Sequence, residues 1–296
     1  MRVALFHNED AGDGTSVDEI SSLLERHGHH LVQVVDKEWS AELVLENRAD
    51  LVVAAGGDGT VTTAARVLAG CTMPLAILPL GTANNIARSL GCDAPIEELI
   101  ASWEHAPRQP LDLGTACGVW GERVFIESVG AGLIPAGIAA AKAHPESGEG
   151  SSTSKPTDAV RIFRDVLARF EPQRWTITLD GLAITGEFLL VEVLNMPSIG
   201  PNLVLSGEAS PSDGFFSVVI ATEKQRDVLD EYLVHRSEGG ERPLWLTPRR
   251  ARRVEILGWD DVHVDDQLLR ARPSETVSMT IHPAALTFLQ GPRLAP

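Results

Sequence analysis

An unbroken apolar run, Leu51-Val52-Val53-Ala54-Ala55, stops at Gly56-Gly57-Asp58-Gly59-Thr60, and no other stretch of the chain constrains the fold as strongly. A short apolar run bounded by glycines reads as a buried strand. Past the glycines, Val61, Ala64, Ala65 and Leu68 share one helical face. A buried strand that passes directly into a helix is a building block of a helix-covered parallel sheet. The turn itself suits an anion. Missing side chains let a phosphate approach the backbone, and a helix N-terminus aims amides at it. Asp58 inside such a turn needs a cation or donors nearby. A nucleoside triphosphate with magnesium would bring the cation; backbone amides would serve equally, fixing the loop.

The pattern repeats over the first hundred residues. Strands are predicted at 3–6, 31–35, 51–55 and 75–80. Helices are predicted at 17–27, at 41–47, after the glycine turn, and from Gly81-Thr82 through Leu90. Strands alternating with helices imply an α/β domain, doubly wound around a parallel sheet. Ligands of such sheets bind beyond the carboxyl ends of the strands. The loops at Asn8, Gly56 and Gly81 would then lie at one edge, and three phosphate-friendly turns together say more than any one. Past Pro107-Arg108-Gln109-Pro110 the chain reads mostly as strands, at 124–128, 175–179, 188–194, 215–220, 254–257, 262–264 and 277–281. Two helical pieces, 158–169 and 226–236, interrupt them. A mostly-β, sandwich-like second domain is expected. Residues 145–157 have the composition of a flexible linker.

Composition narrows the function. The formal charge of −16 over 296 residues argues against a nucleic-acid binder, which needs a basic surface to release counterions. Cys71, Cys92 and Cys117 are far apart and give neither a disulfide framework nor a zinc spacing. No apolar stretch approaches the ~20 residues that span a bilayer, and the N-terminus lacks signal-peptide architecture. A cytoplasmic protein is expected. Arg249, Arg250, Arg252 and Arg253 form the one basic cluster, suited to anionic headgroups, to docking ATP, or to protecting a strand edge. His27-Gly28-His29-His30 reads as a solvent-exposed turn rather than a metal site. The small, apolar stretch 129–141 could line an acyl-chain cleft or form a core helix.

Gly56-Gly57-Asp58-Gly59-Thr60 followed by Pro79-Leu80-Gly81-Thr82-Ala83-Asn84-Asn85-Ile86-Ala87-Arg88 resembles the bacterial diacylglycerol kinase-like lipid kinases, relatives of sphingosine kinases and, more distantly, NAD kinases. Asp112-Leu113-Gly114, 125–132, Asn195, Asp213-Gly214, Val264-Asp265-Asp266-Gln267 and Pro283-Ala284-Ala285-Leu286 extend the likeness over nearly the whole chain. The resemblance implies an NAD-kinase-like nucleotide domain at 1–110, to which 283–296 returns, and a β-rich acceptor domain at 111–282. It implies ATP held by Asn8, Gly56, Gly57, Asp58, Gly59, Thr60, Gly81, Thr82 and Asn84. It implies catalysis by Asp58 and by Asp265 as general base, and a structural Mg2+ at Asp213 with the carbonyls of Ser210 and Phe215. The substrate it implies is a lipid alcohol, met in transient peripheral contact with a membrane. A homodimer stays open. The chain departs from the family's pattern at Asn8-Glu9-Asp10-Ala11-Gly12, at Asn84-Asn85, at Gly200-Pro201-Asn202, and at Asp265-Asp266-Gln267, where the family has Asp-Gly-Glu. Two alternatives therefore stay open: a kinase of a soluble alcohol or dinucleotide, and a nucleotide binder without catalysis.

Overall fold

The computed structural model describes residues 1–8, 14–35, 39–46, 48–143, 156–240, 242, 244 and 246–292. The chain divides into two units, Met1–Leu113 with Pro283–Pro296, and Gly114–His282.

In the first unit, β1 (Arg2–His7), β2 (His30–Val35), β3 (Leu51–Gly56) and β4 (Leu75–Pro79) lie parallel in the order β2-β1-β3-β4. All of β3 is buried, as expected of a central strand covered on both faces. The helices are α1 (Val17–Arg26), α2 (Ala41–Glu46), α3 (Asp58–Leu68), α4 (Asn85–Ser89) and α5 (Ile96–Ser102). A capping box starts α1: Glu19 N donates to Ser16 Oγ at 3.2 Å, and Ser16 N donates to Glu19 Oε2 at 2.8 Å. Ile20 and Leu24 then bury its inner face.

The second unit opens within β5 (Arg108–Gly118) and continues through β6 (Gly121–Phe125), β7 (Ser128–Gly132), α6 (Leu133–Lys142) and α7 (Pro156–Leu167). Next come β8 (Gln173–Leu179), β9 (Leu182–Phe188), β10 (Leu190–Leu194) and the short pair β11 (Ser198–Ile199) and β12 (Leu203–Val204). Then follow β13 (Phe216–Ala221), α8 (Arg226–Ser237), β14 (Arg249–Ala251), β15 (Arg253–Leu257), β16 (Asp261–Val264), β17 (Gln267–Arg270) and β18 (Thr276–Leu289). One sheet runs β14-β13-β10-β7-β16-β17, and another places β18, β15, β8 and β9 side by side. Val129, Ala131, Val191, Val193, Val262 and Val264 pack on Trp175, Ile177, Val254, Ile256, Val277 and Met279 in one core, the sandwich. Leu190, Leu194 and Val219, from the opposite face of the six-stranded sheet, join Leu133, Ile134, Phe163, Leu229 and Leu233 of α6, α7 and α8 in another. Strand period 2 sorts the residues between these cores.

The sequence-based elements differ from the structure at instructive places. The strand expected at 124–128 is two, β6 and β7, because Ile126, Glu127 and Ser128 turn their amides to a carboxylate rather than to a ladder. The stretch 129–141 is strand and then helix. The strand expected at 277–281 runs on through Pro283 to Leu289; Ala284, at φ 52°, bends it, and the Asp112 carboxylate takes the Ala284 amide at 2.8 Å. The strands β5, β9, β11, β12, β14 and β17 and the helix α5 have no counterpart among the sequence-based elements. The predicted linker lies mostly, and Glu9 to Gly12 wholly, outside the described residues.

Candidate active site

At the carboxyl edge of the first unit's sheet the backbone ties three loops together. Asn8 N donates to Ala55 O at 3.2 Å, and Leu80 N donates to Gly56 O at 3.0 Å. A Cβ on Gly81 would fall 2.5 Å from Gly57 Cα, so the second and third loops touch main chain to main chain. A Cβ on Gly56 would fall 2.3 Å from Thr60 Oγ1. These glycines are therefore needed for loop packing as well as for leaving backbone open.

Asp58 is the link between the loops. Its Oδ1 accepts Ile86 N at 2.9 Å and its Oδ2 accepts Asn85 N at 3.1 Å. The carboxylate thus serves as the side-chain cap of α4, whose own N-cap Asn84 supplies none. Asn84 sits in the left-handed region at φ 49° and spends its side chain locally. Its Oδ1 accepts Gly81 N at 3.0 Å, and its Nδ2 donates to Gly81 O at 2.7 Å and Pro79 O at 3.3 Å. Thr60 is buried and its amide donates to Gly57 O at 3.0 Å, so it closes the turn from inside. Gly59 and Thr82 are exposed. Asn8, Gly56, Gly57, Asp58, Gly59, Thr60, Gly81, Thr82 and Asn84 are thus brought to one edge, but Asp58, Asn84 and Thr60 build the cradle rather than line it.

In the second unit, Asp265 and Asp266 form the two-residue loop between β16 and β17, where Val264 pairs with Gln267. They do not continue the strand: Asp265 is buried in the left-handed region at φ 51°, and Asp266 is exposed. Asp265 Oδ1 accepts Glu127 N at 2.9 Å and Ile126 N and Ser128 N at 3.3 Å each, while Oδ2 lies 3.3 Å from Ile126 N. Its amide donates to Ser128 O at 2.9 Å. Sequence reasoning missed what stands behind this turn. His263 Nδ1 lies 2.9 Å from Asp265 O, and its Nε2 lies 2.8 Å from Glu192 Oε1. Burial lowers the proton affinity of this imidazole, but the Glu192 carboxylate and the Asp265 carbonyl outweigh it and hold His263 above its ordinary value. A lone acid in the apolar run 188–194 was the clue available.

Toward the open end of the β16–β17 hairpin, where Asp261 pairs with Arg270, lies a cavity of ≈ 440 Å³ between α6 and β17. Pro135, Ala136, Ala139, Phe170, Leu268 and Leu269 give it apolar walls, and Asp260, Asp261 and Arg270 stand at its polar side. The turn and the cavity share β17, and Lys142 of α6 donates to Asp266 O at 3.1 Å.

The predicted magnesium position does not offer a vacant carboxylate. Asp213 Oδ1 accepts Phe215 N at 3.0 Å, and Oδ2 pairs with Arg250 Nη2 at 3.0 Å. Arg250 and Arg252 stack on Phe215 at 4.3 and 4.6 Å. Asp213, Ser210 and Phe215 thus form an arginine-locked turn, and a cation there would have to displace a guanidinium. Among the described residues there is no cluster of three His, Cys, Asp or Glu that could hold a metal.

An α/β unit with glycine loops gathered at one sheet edge, followed by a β-sandwich unit, is the build of a two-unit kinase. Residues 2–116 match the diacylglycerol kinase catalytic domain, and residues 147–290 match the YegS C-terminal NAD kinase beta sandwich-like domain. A diacylglycerol kinase of Mycobacterium tuberculosis is 26% identical over 245 residues, covering 77% of this chain and 75% of its own. A Pseudomonas putida protein named "Probable lipid kinase YegS-like" is 31% identical over 182 residues, covering 60% and 57%. In fold, a crystal structure of a diacylglycerol kinase from Bacillus anthracis superposes with a TM-score of 0.66 at 20% identity, covering 98% of this chain and 97% of that one. The chain belongs to the diacylglycerol kinase-like lipid kinases: it is a kinase, and ATP is its phosphoryl donor. No described helix is long and apolar enough to cross a membrane.

Proposed function

We propose that this kinase transfers the terminal phosphoryl group of ATP to the hydroxyl of a diacylglycerol-like lipid alcohol. The first unit's glycine loops receive the polyphosphate, with main-chain amides at the start of α3 facing it. The second unit presents the alcohol. The cavity between α6 and β17 carries the lipid reading: Pro135, Ala136, Ala139, Phe170, Leu268 and Leu269 give it an apolar side for a chain, Gln173, Asp260, Asp261 and Arg270 a polar side for a headgroup, and β17 leads from it back to the Asp265 turn. A soluble alcohol or a dinucleotide would not call for the apolar side. The hydroxyl oxygen bonds to phosphorus as the bond to the bridging oxygen of the departing ADP breaks, and Asp265 takes the proton. The amides of Ile126 to Ser128 hold that carboxylate in place. Magnesium keeps several waters and favours phosphate oxygens. With Asp58 and Asp213 both engaged in the fold, the ion would arrive on the nucleotide and neutralise its charge. Access to a membrane-borne alcohol requires a transient peripheral contact.

The test is incubation with labelled ATP, magnesium and a bacterial lipid extract, followed by chromatography of the organic phase. A new labelled phospholipid is expected, and Asp265→Asn should abolish it. Label that stays in ATP with every lipid, or moves instead to a soluble alcohol or to NAD, overturns the proposal.

A further inference from the structure

Glu192 and His263 are buried together, at 0% and 1% exposure, on strands that do not touch. Between β10 and β16 runs β7, and the residue opposite both is Gly130. A Cβ on Gly130 would fall 1.8 Å from Glu192 Oε2 and 2.9 Å from His263 Nε2. The glycine therefore opens a gap through which the carboxylate and the imidazole meet over an intervening strand. Its φ is not positive, so backbone freedom does not explain it; the gap does.

The hydrogen-bond inventory fixes the protons. Asp265 O is a carbonyl and can only accept, so Nδ1 must carry a proton. Nε2 faces a carboxylate oxygen, so a second proton lies between Nε2 and Oε1. A neutral imidazole with an ionised Glu192 would leave a lone pair against an acceptor at one end or the other. The second Glu192 oxygen, Oε2, and Ser128 Oγ are buried without partners. Such a buried pair is expensive and contributes little net stability, so its retention asks for another reason. What it holds is a strained residue. Asp265 occupies the left-handed region, uncommon for a residue other than glycine, and its carbonyl is pinned by the imidazole.

We propose that His263, held by Glu192 through the gap at Gly130, is a positioning residue that fixes the Asp265 turn for the acceptor hydroxyl. This rests on the proposed role of that turn in transfer. The charged groups around the imidazole are Glu192 on β10 and Asp265 at the turn. From α6, Lys142 reaches the Asp266 carbonyl; β7 contributes Gly130, and β17 contributes Leu268 opposite His263.

Two double variants test it without leaving a buried charge unpaired. Glu192→Leu with His263→Leu removes the pair and the donor to Asp265 O. Glu192→Leu with His263→Asn restores a donor at the place of Nδ1. Both should bind ATP with the wild-type KM. The first should lose kcat for lipid by about 10²-fold, the scale of a ~1 Å misplacement, and the second should regain most of it. Wild-type kcat in the first variant, or no recovery in the second, overturns the proposal. Nitrogen NMR of the wild-type imidazole at pH 8 gives a readout independent of turnover. Protons on both His263 nitrogens, or one on Nδ1 with the other shared with Glu192, are expected. A neutral imidazole with a bare Nδ1 overturns the proposal. If the wild type phosphorylates no lipid, the kinase reading fails on its own, and the NMR result still decides whether His263 pins the turn.

Discussion

Asp58 offers the sharpest test of what holds the nucleotide site together. Its two oxygens cap the amides of Asn85 and Ile86 at the start of the five-residue α4. A helix that short has no stability of its own, so the cap supplied by another loop decides whether Gly81 to Asn84 stays in place. Hydrogen bonds to a charged acceptor contribute about 1.5–3 kcal/mol each when buried. Asp58 is only partly buried, and replacing a capping residue costs about 0.5–2 kcal/mol. Asp58→Ala should therefore destabilise the protein by about 2–3 kcal/mol, the sum of two discounted bonds. Asp58→Asn keeps one oxygen acceptor and should cost about 1 kcal/mol. ATP affinity and phosphoryl transfer should follow the same order, wild type above Asn above Ala, because the loops separate as the cap is lost. The assay is urea unfolding in parallel with an ATP binding isotherm and a lipid-labelling rate for all three proteins. An Asn variant as stable as the wild type but as inactive as the Ala variant would refute this. The charge of Asp58 would then act on the phosphates or their metal directly, and the cap would be incidental.

Three further outcomes follow from the geometry. Gly81→Ala places a Cβ 2.5 Å from Gly57 Cα, whereas Gly57→Ala meets Gly81 Cα at 3.4 Å, an ordinary contact; a thermal scan should show a loss of about 1–3 kcal/mol for the first and near-wild-type stability for the second. His29 is fully buried with Nε2 on Ile100 O, and burial, opposed by that carbonyl, holds its proton affinity below the ordinary value. The folded state thus prefers neutral His29, stability should fall as pH drops below about 6.5 toward the folded value, and His29→Gln should flatten that slope in denaturant titrations between pH 5 and 7. Burial pushes the Cys92 thiol up to about 11, so an alkylating reagent at pH 8 should label the partly exposed Cys71 in the native protein and Cys92 only after unfolding, as mass spectrometry would show.

What the sequence disclosed was local. The Gly56 to Thr60 turn was legible because strand, glycines and helix follow one another, and the strands of the first sheet are apolar enough to stand out. That Asp58 could fix the loop through backbone amides was legible, but which amides was not, because those it caps come 27 and 28 residues later. The strand β9 alternates exposed and half-buried residues over most of its length, and β17 has no buried residue; neither gave an apolar run to detect. The trio Gly130, Glu192 and His263 needs the register of three strands before it means anything. The arginine cluster misleads in isolation. Asp213 pairs with Arg250, Glu255 pairs with Arg253, and Phe215 carries the Arg250 and Arg252 guanidinium groups, so two of the four charges meet a carboxylate and a third is stacked on a ring.

Gln267 bears on how much chemistry the acceptor side must supply. Glutamine donates and accepts hydrogen bonds but does not ionise, so of the two acid positions in the family's Asp-Gly-Glu pattern only that of Asp265 is kept, and the turn's other acid, Asp266, stands at the glycine position and is exposed. In register, Gln267 pairs with Val264, whose side faces the sandwich core, while His263 pairs with Leu268 on the opposite face. The residue at 267 therefore does not share a face with the pair that pins the turn. Phosphoryl transfer runs through a loose transition state that asks mainly for alignment and charge neutralisation. The Asp265 carboxylate held by the amides of Ile126 to Ser128 meets that demand, and a further one at 267, next to Asp265 and Asp266, would add repulsion. Gln267→Glu should accordingly leave kcat for lipid within about twofold of wild type, far below the 10²–10⁴-fold that a true acid–base group contributes. Steady-state rates at saturating ATP across pH 6 to 9 would measure it. A rise of about tenfold or more, with a new ionisation in the profile, would mean that the missing acid limits the reaction and that holding Asp265 in place is not enough.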